Sequence, residues 1–357
     1  MGSEGLGLEF RSEHDVAGSR HPTPVQPAAQ GRNDSGHEQL DARSQPVVFI
    51  AGIGRSGSTL LDRMLGQATG WFSVGEVVHL WTRGLMANER CACGVIFRDC
   101  PVWSEIGKHA FGGWEQVDPT AINHMRLAVE RDRHIPLLLY PRLRPGFLED
   151  VMTYTELISR VYEAARVVTG ASVIVDSSKH VPAALALRLN PGLDLRVVHL
   201  VRDSRGVAYS WSKAVSRPAT SGETLMTRWS PVETSLRYLA YNTLLSRIFA
   251  DEALQVRYED LVANPRAIAG SIIEWLGLGP DGLESIKANG SVAFGTSHGI
   301  SGNPMRFTTG PVDLAVDDEW MRSMSVADRF LVTLLTFPSL MRYRYHLRPE
   351  VRRAPGS

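Results

Sequence analysis

The segment from Val47 to Leu61 constrains the fold of this chain more than any other. It opens with an apolar run that predicts a buried strand. Gly52, Gly54 and Gly57 follow within six residues, and leucines at helical spacing come next. A strand, a glycine-rich turn and a helix N-terminus together leave backbone N–H groups without an intrahelical partner. This arrangement is typical of a site that binds an anion.

The turn resembles the Walker A motif, except that Ser58 stands where that motif has its lysine. In an NTPase the lysine contacts the β- and γ-phosphates, and the next hydroxyl binds Mg²⁺. This turn instead offers Arg55, Ser56, Ser58 and Thr59, whose guanidinium and hydroxyl groups can bind a tetrahedral anion. We therefore expect anion binding without the γ-phosphate chemistry of an NTPase. A strand–helix turn with no ligand is the simpler alternative.

Composition narrows the function classes. The 357 residues carry 38 Lys and Arg against 38 Asp and Glu, so no net charge attracts nucleic acid or an anionic membrane, and we expect no nucleic-acid partner. No apolar run reaches the roughly 20 residues of a membrane helix. The N-terminus lacks a secretory pattern, and three cysteines do not suggest a disulfide framework. These features predict a cytoplasmic enzyme.

The order of predicted elements indicates an α/β protein. Residues 1–44 are polar and rich in Gly, Ser and Pro, so we expect a disordered tail there, and a loose C-terminal tail at 346–357. Within 45–345, apolar strands near 172–176 and 195–201 alternate with helical patterns, which favours a parallel sheet. We predict a single P-loop-type domain with a central parallel sheet flanked by helices.

Polar residues follow three of the predicted strands. Ligands of parallel sheets bind outside the carboxyl ends of the strands, so we expect these polar clusters to line one crevice. Ser210 lies two helical turns beyond Arg202, so the two can share an anion only if Arg202 extends along the helix. The clusters are Arg55 with Ser58, Asp176 with Lys179, and Arg202 with Ser210.

Two further segments carry possible ligands. Residues 297–307 are rich in glycine, polar and basic, and show no regular element, which favours a loop over a ligand, with an ordinary surface loop as the alternative. Cys91, Cys93 and Cys100 can bind zinc with a fourth ligand such as His79 or His109. The usual C-x-x-C spacing is missing, so we expect three reduced thiols that shape a loop, and we assign no metal ligand.

Four motifs in this order resemble sulfotransferases that use 3′-phosphoadenosine 5′-phosphosulfate (PAPS), in particular bacterial members related to tyrosylprotein and carbohydrate sulfotransferases. They are the glycine-rich turn, Val-Arg-Asp-Ser-Arg-Gly-Val-Ala-Tyr-Ser at 201–210, Arg-Tyr-Glu-Asp-Leu at 257–261, and the loop His-Gly-Ile-Ser-Gly-Asn-Pro-Met-Arg-Phe at 298–307. The resemblance extends from about residue 46 to 340. It implies in-line transfer of a sulfuryl group from PAPS to an acceptor hydroxyl, with no metal required.

The resemblance also implies roles for particular residues. The 5′-phosphosulfate is expected at the turn, and the 3′-phosphate at Arg202 and Ser210. Glu76 is expected to be the general base, with Lys179 and Arg55 stabilising charge. Lys179 comes two places later after its strand than in the tyrosylprotein branch, so Ser177 or Ser178 could contact the sulfonate instead. The expected donor ligands are Arg55, Ser56, Gly57, Ser58, Thr59, Arg202, Ser210, Tyr258 on the adenine side, and Ser297 and Arg306 in the closing loop.

Several possibilities stay open at this stage. The acceptor could be a small molecule such as a polyketide, a glycolipid, a sugar or a peptide, in a pocket formed by Trp81–Trp114 and Asp118–Phe147. One rival function is a P-loop kinase or NTPase with Asp176 as the metal-binding carboxylate, which the missing lysine disfavours. The other is a non-catalytic module that binds a nucleotide.

Overall fold

A parallel sheet forms the centre of the computed structural model, which describes residues 45–215, 225–279, 282–287 and 290–347. Within these ranges the strands are β1 (Pro46–Ala51), β2 (Trp71–Gly75), β3 (Val173–Lys179), β4 (Asp194–Val201), β5 (Leu254–Arg257), β6 (Val292–Phe294) and β7 (Gly310–Val312). The α-helices are α1 (Ser58–Leu65), α2 (Pro101–Phe111), α3 (Pro119–Val129), α4 (Ile135–Leu139), α5 (Phe147–Thr169), α6 (Val181–Arg188), α7 (Ser204–Ser212), α8 (Pro231–Ile248), α9 (Tyr258–Ala263), α10 (Pro265–Trp275), α11 (Trp320–Ser323), α12 (Val326–Leu335) and α13 (Phe337–Arg342).

Strand β1 lies in the middle of the sheet, whose order is β2-β3-β1-β4-β5 with every pair parallel. Its alternate side chains enter two separate cores. Val47 and Phe49 pack with residues of α2 to α6, while Val48 and Ile50 pack with residues of α1, α9 and α10. Because both faces are covered, the strand is apolar without alternation. The predicted α/β class, with a central parallel sheet flanked by helices, is confirmed.

Strand β3 contains an irregularity that matters for the site. Its register against β1 pairs Phe49 with Asp176 but Ala51 with Lys179, so β3 has one extra residue between the two pairs. Such a bulge bends a strand and redirects the side chains beyond it. Lys179 also has a φ of 71°, and its carbonyl accepts from the N–H of Gly52 at 3.2 Å. The end of β3 is therefore attached to the beginning of the glycine-rich turn.

Three regions differ from the simple sequence pattern. The helical segment after Glu76 is a 3₁₀ turn, Val77–His79, followed by the π-helical Leu80–Met86. The apolar segment 326–340 forms parts of two helices, α12 and α13, because Pro338 has no N–H and its ring crowds the carbonyl four residues earlier. Strands β6 and β7, an antiparallel pair, were not predicted.

The predicted N-terminal tail, residues 1–44, lies outside the described residues, as do residues 348–357 of the predicted C-terminal tail. Within the described ranges, no helix combines the length and the apolar character needed to cross a membrane.

Candidate active site

A cavity of about 780 Å³ opens at the carboxyl ends of β1 to β5. The crevice predicted from the strand ends is therefore present. Most of the predicted donor and catalytic residues contribute to its wall: Arg55, Gly57, Ser58, Thr59, Glu76, Lys179, Arg202, Ser210 and Tyr258.

The glycine-rich turn is built by close backbone approaches. A Cβ at Gly52 would lie 2.5 Å from the carbonyl oxygen of Leu200, and a Cβ at Gly57 would lie 2.4 Å from the ring of Tyr258. Both glycines also have positive φ, at 155° and 91°. Arg55 adopts a φ of 73°, which is a strained conformation for a residue with a side chain. The turn then leads into α1, whose N-terminus has no side-chain cap.

Arg202 connects the far end of the site to the turn. Its Nη1 donates to the carbonyl oxygen of Arg55 at 3.0 Å, and its guanidinium lies 4.6 Å from the ring centroid of Tyr258. Its Nη2 pairs with the carboxylate of Asp317 at 2.9 Å. Ser210, on α7, lines the same cavity. The two arginines thus line one cavity, and Asp317 is the anionic partner of Arg202.

Glu76 and Lys179 form an ion pair inside the cavity. Lys179 Nζ donates to Glu76 Oε1 and, at 2.9 Å, to the carbonyl oxygen of Ser177. Burial raises the pKa of the Glu76 carboxyl, but the positive charges of Lys179 and Arg83, together with His79, outweigh it and lower the pKa to about 2. Glu76 is therefore a carboxylate throughout the neutral range, which is the form that a general base requires.

Two histidines beside this pair were not predicted as part of the donor or catalytic site. His79 Nε2 lies 3.5 Å from Glu76 Oε2, and His180 also lines the cavity. Burial lowers the pKa of His79 well below its usual value and that of His180 to about 4, so both are neutral at pH 7. The spacing could have indicated His79: it follows Glu76 by three residues, and one helical turn brings side chains at that spacing together.

A stack of aromatic and cationic side chains forms another part of the wall. The indoles of Trp211 and Trp229 lie 3.6 Å apart at an interplanar angle of 13°. Arg55 lies over the first ring at 5.3 Å, and Arg237 lies over the second at 4.6 Å. Trp211 Nε1 also donates to the carbonyl oxygen of Gly54 at 3.0 Å. Trp211 therefore supports both the backbone and the side chain of the glycine-rich turn.

The end of α3 and the residues after it form a further part of the wall. Arg126, Glu130, Arg131 and Asp132 line the cavity here, within the segment 118–147 that we expected to shape the acceptor pocket. Burial raises the pKa of Glu130 to about 8, so this carboxyl is mostly protonated at pH 7. Among the described residues that line the cavity, seven are Lys or Arg and four are Asp or Glu. The chain has no net charge, yet its cavity is cationic.

Some predicted residues lie outside this wall. Ser56 is buried, and Ser297 and Arg306 are not in contact with the cavity. Arg306 donates to the carbonyl oxygen of Arg90 at 2.9 Å, and its Nε and Nη1 have no partner within the described residues. The assignment of these three residues to the nucleotide stays a prediction.

Asp176, Ser177 and Ser178 also lie away from the cavity. Asp176 is 1% exposed, accepts from the hydroxyl of Tyr162 at 2.6 Å, and accepts from the hydroxyl of Ser178. Asp176 and Lys179 were both expected in the crevice; Lys179 lines it, whereas Asp176 lies before the bulge of β3 and is buried. The same burial disfavours Asp176 as the metal-binding carboxylate of an NTPase, and Ser177 or Ser178 as ligands of a sulfonate.

Comparisons with known proteins identify the family of the chain. A model of the sulfotransferase family matches residues 46–281, which is more than half of the chain. The chain belongs to the sulfotransferase family. It is therefore an enzyme that moves a sulfuryl group from a donor to a hydroxyl-bearing acceptor. No curated protein matches the chain significantly.

Several solved structures are similar to the chain. The sulfotransferase domain of the Synechococcus PCC 7002 olefin synthase is 21% identical, with 88% of this chain and 100% of that domain covered and a TM-score of 0.45. The sulfotransferase domain of the curacin biosynthetic pathway is 16% identical, with coverage of 86% and 100% and a TM-score of 0.45. A sulfotransferase from Mycobacterium avium is 14% identical, with coverage of 87% and 80% and a TM-score of 0.43.

Proposed function

We propose that this sulfotransferase uses PAPS as its donor and transfers the sulfuryl group in line to an acceptor hydroxyl. One observation carries the proposal: the Arg55 turn and the Arg202–Ser210 pair line a single cavity, and Arg202 reaches the carbonyl oxygen of Arg55 at 3.0 Å. A nucleotide with phosphate groups at both ends of its ribose needs two separate cationic positions on one wall. The cationic wall and the aromatic ring of Tyr258 match such a ligand.

In this proposal the donor lies along the wall as follows. The phosphosulfate contacts the N-terminus of α1 with Arg55, Ser58 and Thr59, where N–H groups, hydroxyls and a guanidinium favour an anion. The 3′-phosphate replaces the Asp317 carboxylate on Arg202 and contacts Ser210. The adenine lies on the side of Tyr258.

Glu76 and Lys179 then act on the two oxygens that change bonds. The acceptor O–H gives its proton to the Glu76 carboxylate as its oxygen forms the new bond to sulfur. The bond from sulfur to the 5′-phosphate oxygen breaks, and its electron pair stays on that phosphate. Lys179 and Arg55 stabilise the charge that develops there. Positioning and electrostatics supply the rate enhancement.

The Glu76–Lys179 ion pair makes this step depend on the donor. While Lys179 holds Glu76, the low pKa of the carboxyl makes it a weak base. A phosphosulfate draws the ammonium group of Lys179 to itself, and the burial of Glu76 then raises its pKa. Donor binding therefore increases the basicity of Glu76 before the acceptor hydroxyl reacts.

The acceptor enters beside Arg126, Glu130 and Arg131 in this proposal. Charged and hydrogen-bonding side chains on this wall favour an acceptor with several polar groups, such as a sugar, a glycolipid or a peptide, over a purely apolar one.

The test is a transfer assay with sulfur-labelled PAPS and a panel of hydroxyl-bearing acceptors. We expect label in a product that needs both donor and acceptor, and no dependence on Mg²⁺. Hydrolysis of ATP that requires Mg²⁺, without transfer from PAPS to any acceptor in the panel, would overturn the proposal and support the NTPase alternative.

A further inference from the structure

Four possible metal ligands meet beside β2, an edge strand of the sheet. Cys91 and Cys93 come from the turn before α2, Cys100 precedes the first residue of α2, and His298 comes from the segment after β6. Their ligand atoms all lie within 4.8 Å of one another. Cys91 and Cys100 are buried, and the other two side chains are partly buried. We propose that these four residues bind one Zn²⁺ ion.

The distances match a tetrahedral ion. Zn–S bonds of about 2.3 Å place two sulfur atoms about 3.8 Å apart, and a Zn–N bond of about 2.0 Å places sulfur and nitrogen about 3.5 Å apart. The Sγ atoms of Cys93 and Cys100 are 3.8 Å apart. His298 Nδ1 lies 3.2 Å from Cys100 Sγ and 3.9 Å from Cys91 Sγ. The other pairs of ligand atoms lie within 4.8 Å, so shifts of up to about 1 Å complete the site.

The ligand types of the four residues indicate which ion they would bind. Three thiolates with one imidazole select zinc, since an iron–sulfur cluster is typically held by four cysteines. All three cysteines of the chain lie in the described residues, and none is in a disulfide.

The fourth ligand is neither of the histidines suggested by the sequence. His109 is exposed on α2, and His79 lies in the cavity. His298 follows Cys100 by almost two hundred residues, so its proximity depends on the tertiary fold. A cysteine pattern alone cannot identify a ligand so distant in sequence.

The ion would join two segments that reach the active site. The carbonyl oxygen of His298 accepts from Trp103 Nε1 at 2.5 Å, and that of Gly299 accepts from the N–H of Ala92 at 3.3 Å. Two residues after His298, Ile300 accepts from the N–H of Glu76 at 2.8 Å. A closed set of four protein ligands is typical of structural zinc. The role of the ion is therefore to hold this segment against Glu76, and the inference does not depend on which donor the enzyme uses.

Metal analysis of the full chain tests the inference. The protein is produced in zinc-supplemented medium, purified without chelators, and analysed by inductively coupled plasma mass spectrometry. We expect about one zinc ion per chain. The double variant Cys93→Ser/His298→Ala should lose this zinc, whereas the control His109→Ala should keep it. Zinc retained in full by the double variant would overturn the assignment.

Measurements on the unsubstituted chain keep the test independent of how the variants fold. Cobalt in place of zinc should give the charge-transfer and d–d absorption of a tetrahedral cobalt thiolate. A thiol reagent should modify the cysteines slowly until a chelator is added. Absence of zinc and cobalt binding, with thiols that react equally fast before and after zinc addition, shows that there is no metal site.

Discussion

At the scale of single residues, the assignment of Glu76 as the base has a direct test. Glu76→Gln keeps the shape of the side chain but cannot accept a proton. We expect turnover to fall by about 10²–10⁴-fold, with a much smaller change in KM for the donor. Initial rates with saturating PAPS and acceptor measure the effect. Glu105→Gln, at an exposed carboxylate paired with Lys108, is the control and should keep full activity. Near-normal turnover in Glu76→Gln would remove the assignment.

The Glu76–Lys179 ion pair also predicts how stability depends on pH. The pKa of Glu76 is about 2 in the folded chain and close to 4.5 when unfolded, so its ionisation stabilises the fold above about pH 4.5. This contribution is lost as the pH falls toward 2. Lys179→Met raises the pKa of Glu76 and removes the contribution. We therefore expect its destabilisation to be largest near neutral pH and to shrink as the medium becomes acidic.

Urea unfolding of wild type and Lys179→Met at a series of pH values measures this difference. Lys108→Met, at an exposed ion pair, is the matched control and should change stability little at any pH. A difference between wild type and Lys179→Met that is constant with pH would show that Lys179 does not set the pKa of Glu76.

At the scale of elements, the end of β2 determines where Glu76 lies. Gly75 has a φ of 75°, and a Cβ there would lie 2.4 Å from the nitrogen of Ile300. Gly146 has the same φ, but a Cβ there would have no neighbour within 4 Å. We expect Gly146→Ala to reduce the free energy of unfolding by about 1 kcal/mol, and Gly75→Ala to reduce it by a further 1–3 kcal/mol or so.

Urea denaturation curves of the two alanine variants measure this comparison. Because the two glycines share one backbone conformation, the difference between the variants reports the contact between β2 and the segment at Ile300. If both variants lose the same free energy of unfolding, the segment at Ile300 accommodates the added Cβ at no energetic cost.

Elements that neighbouring residues specify could be predicted from the sequence. Features that depend on contacts between residues far apart in the sequence could not. The run of apolar residues in β1 and the glycines after it identified the strand, the turn and α1. The bulge in β3 depends on pairing with β1 and β2, so the sequence could not show that Asp176 turns inward while Lys179 reaches the cavity. Strands β6 and β7 have only three residues each, too few for a periodic signal.

At the scale of the whole molecule, the cavity exists only in the folded chain, so a ligand that fills it stabilises the entire fold. Adenosine 3′,5′-bisphosphate at a hundred times its Kd should add about 2.7 kcal/mol to the free energy of unfolding. ADP lacks the 3′-phosphate and should stabilise less at equal concentration. Thermal unfolding with each nucleotide measures the effect.

Arg202→Ala should remove the preference for adenosine 3′,5′-bisphosphate over ADP. Hydrogen bonds to a charged group contribute about 1.5–3 kcal/mol, so we expect affinity for the bisphosphate to fall by about 10–100-fold. Arg188→Ala, at an exposed ion pair with Glu252 outside the cavity, is the control. An unchanged preference in Arg202→Ala would place the 3′-phosphate elsewhere.

The candidate site was partly predictable for the same reason as the fold. Residues at strand ends, such as Arg55, Lys179 and Arg202, could be placed because the carboxyl ends of parallel strands share one edge. Trp229 lies just before α8, and nothing local to it indicates a cavity, whereas Arg126 lies in the segment 118–147 that was expected to shape the acceptor pocket. The family resemblance supplied the role of Glu76, which composition and spacing do not reveal.

The stacked indoles of Trp211 and Trp229 have an experimental consequence. Two such chromophores at 3.6 Å couple electronically and are expected to give a paired signal of opposite signs in ultraviolet circular dichroism. Arg55 lies against one of them, so a donor that draws its guanidinium away changes the environment of the pair. The unlabelled enzyme thereby carries an intrinsic optical probe of its own occupancy, and a titration can be followed without an acceptor being known.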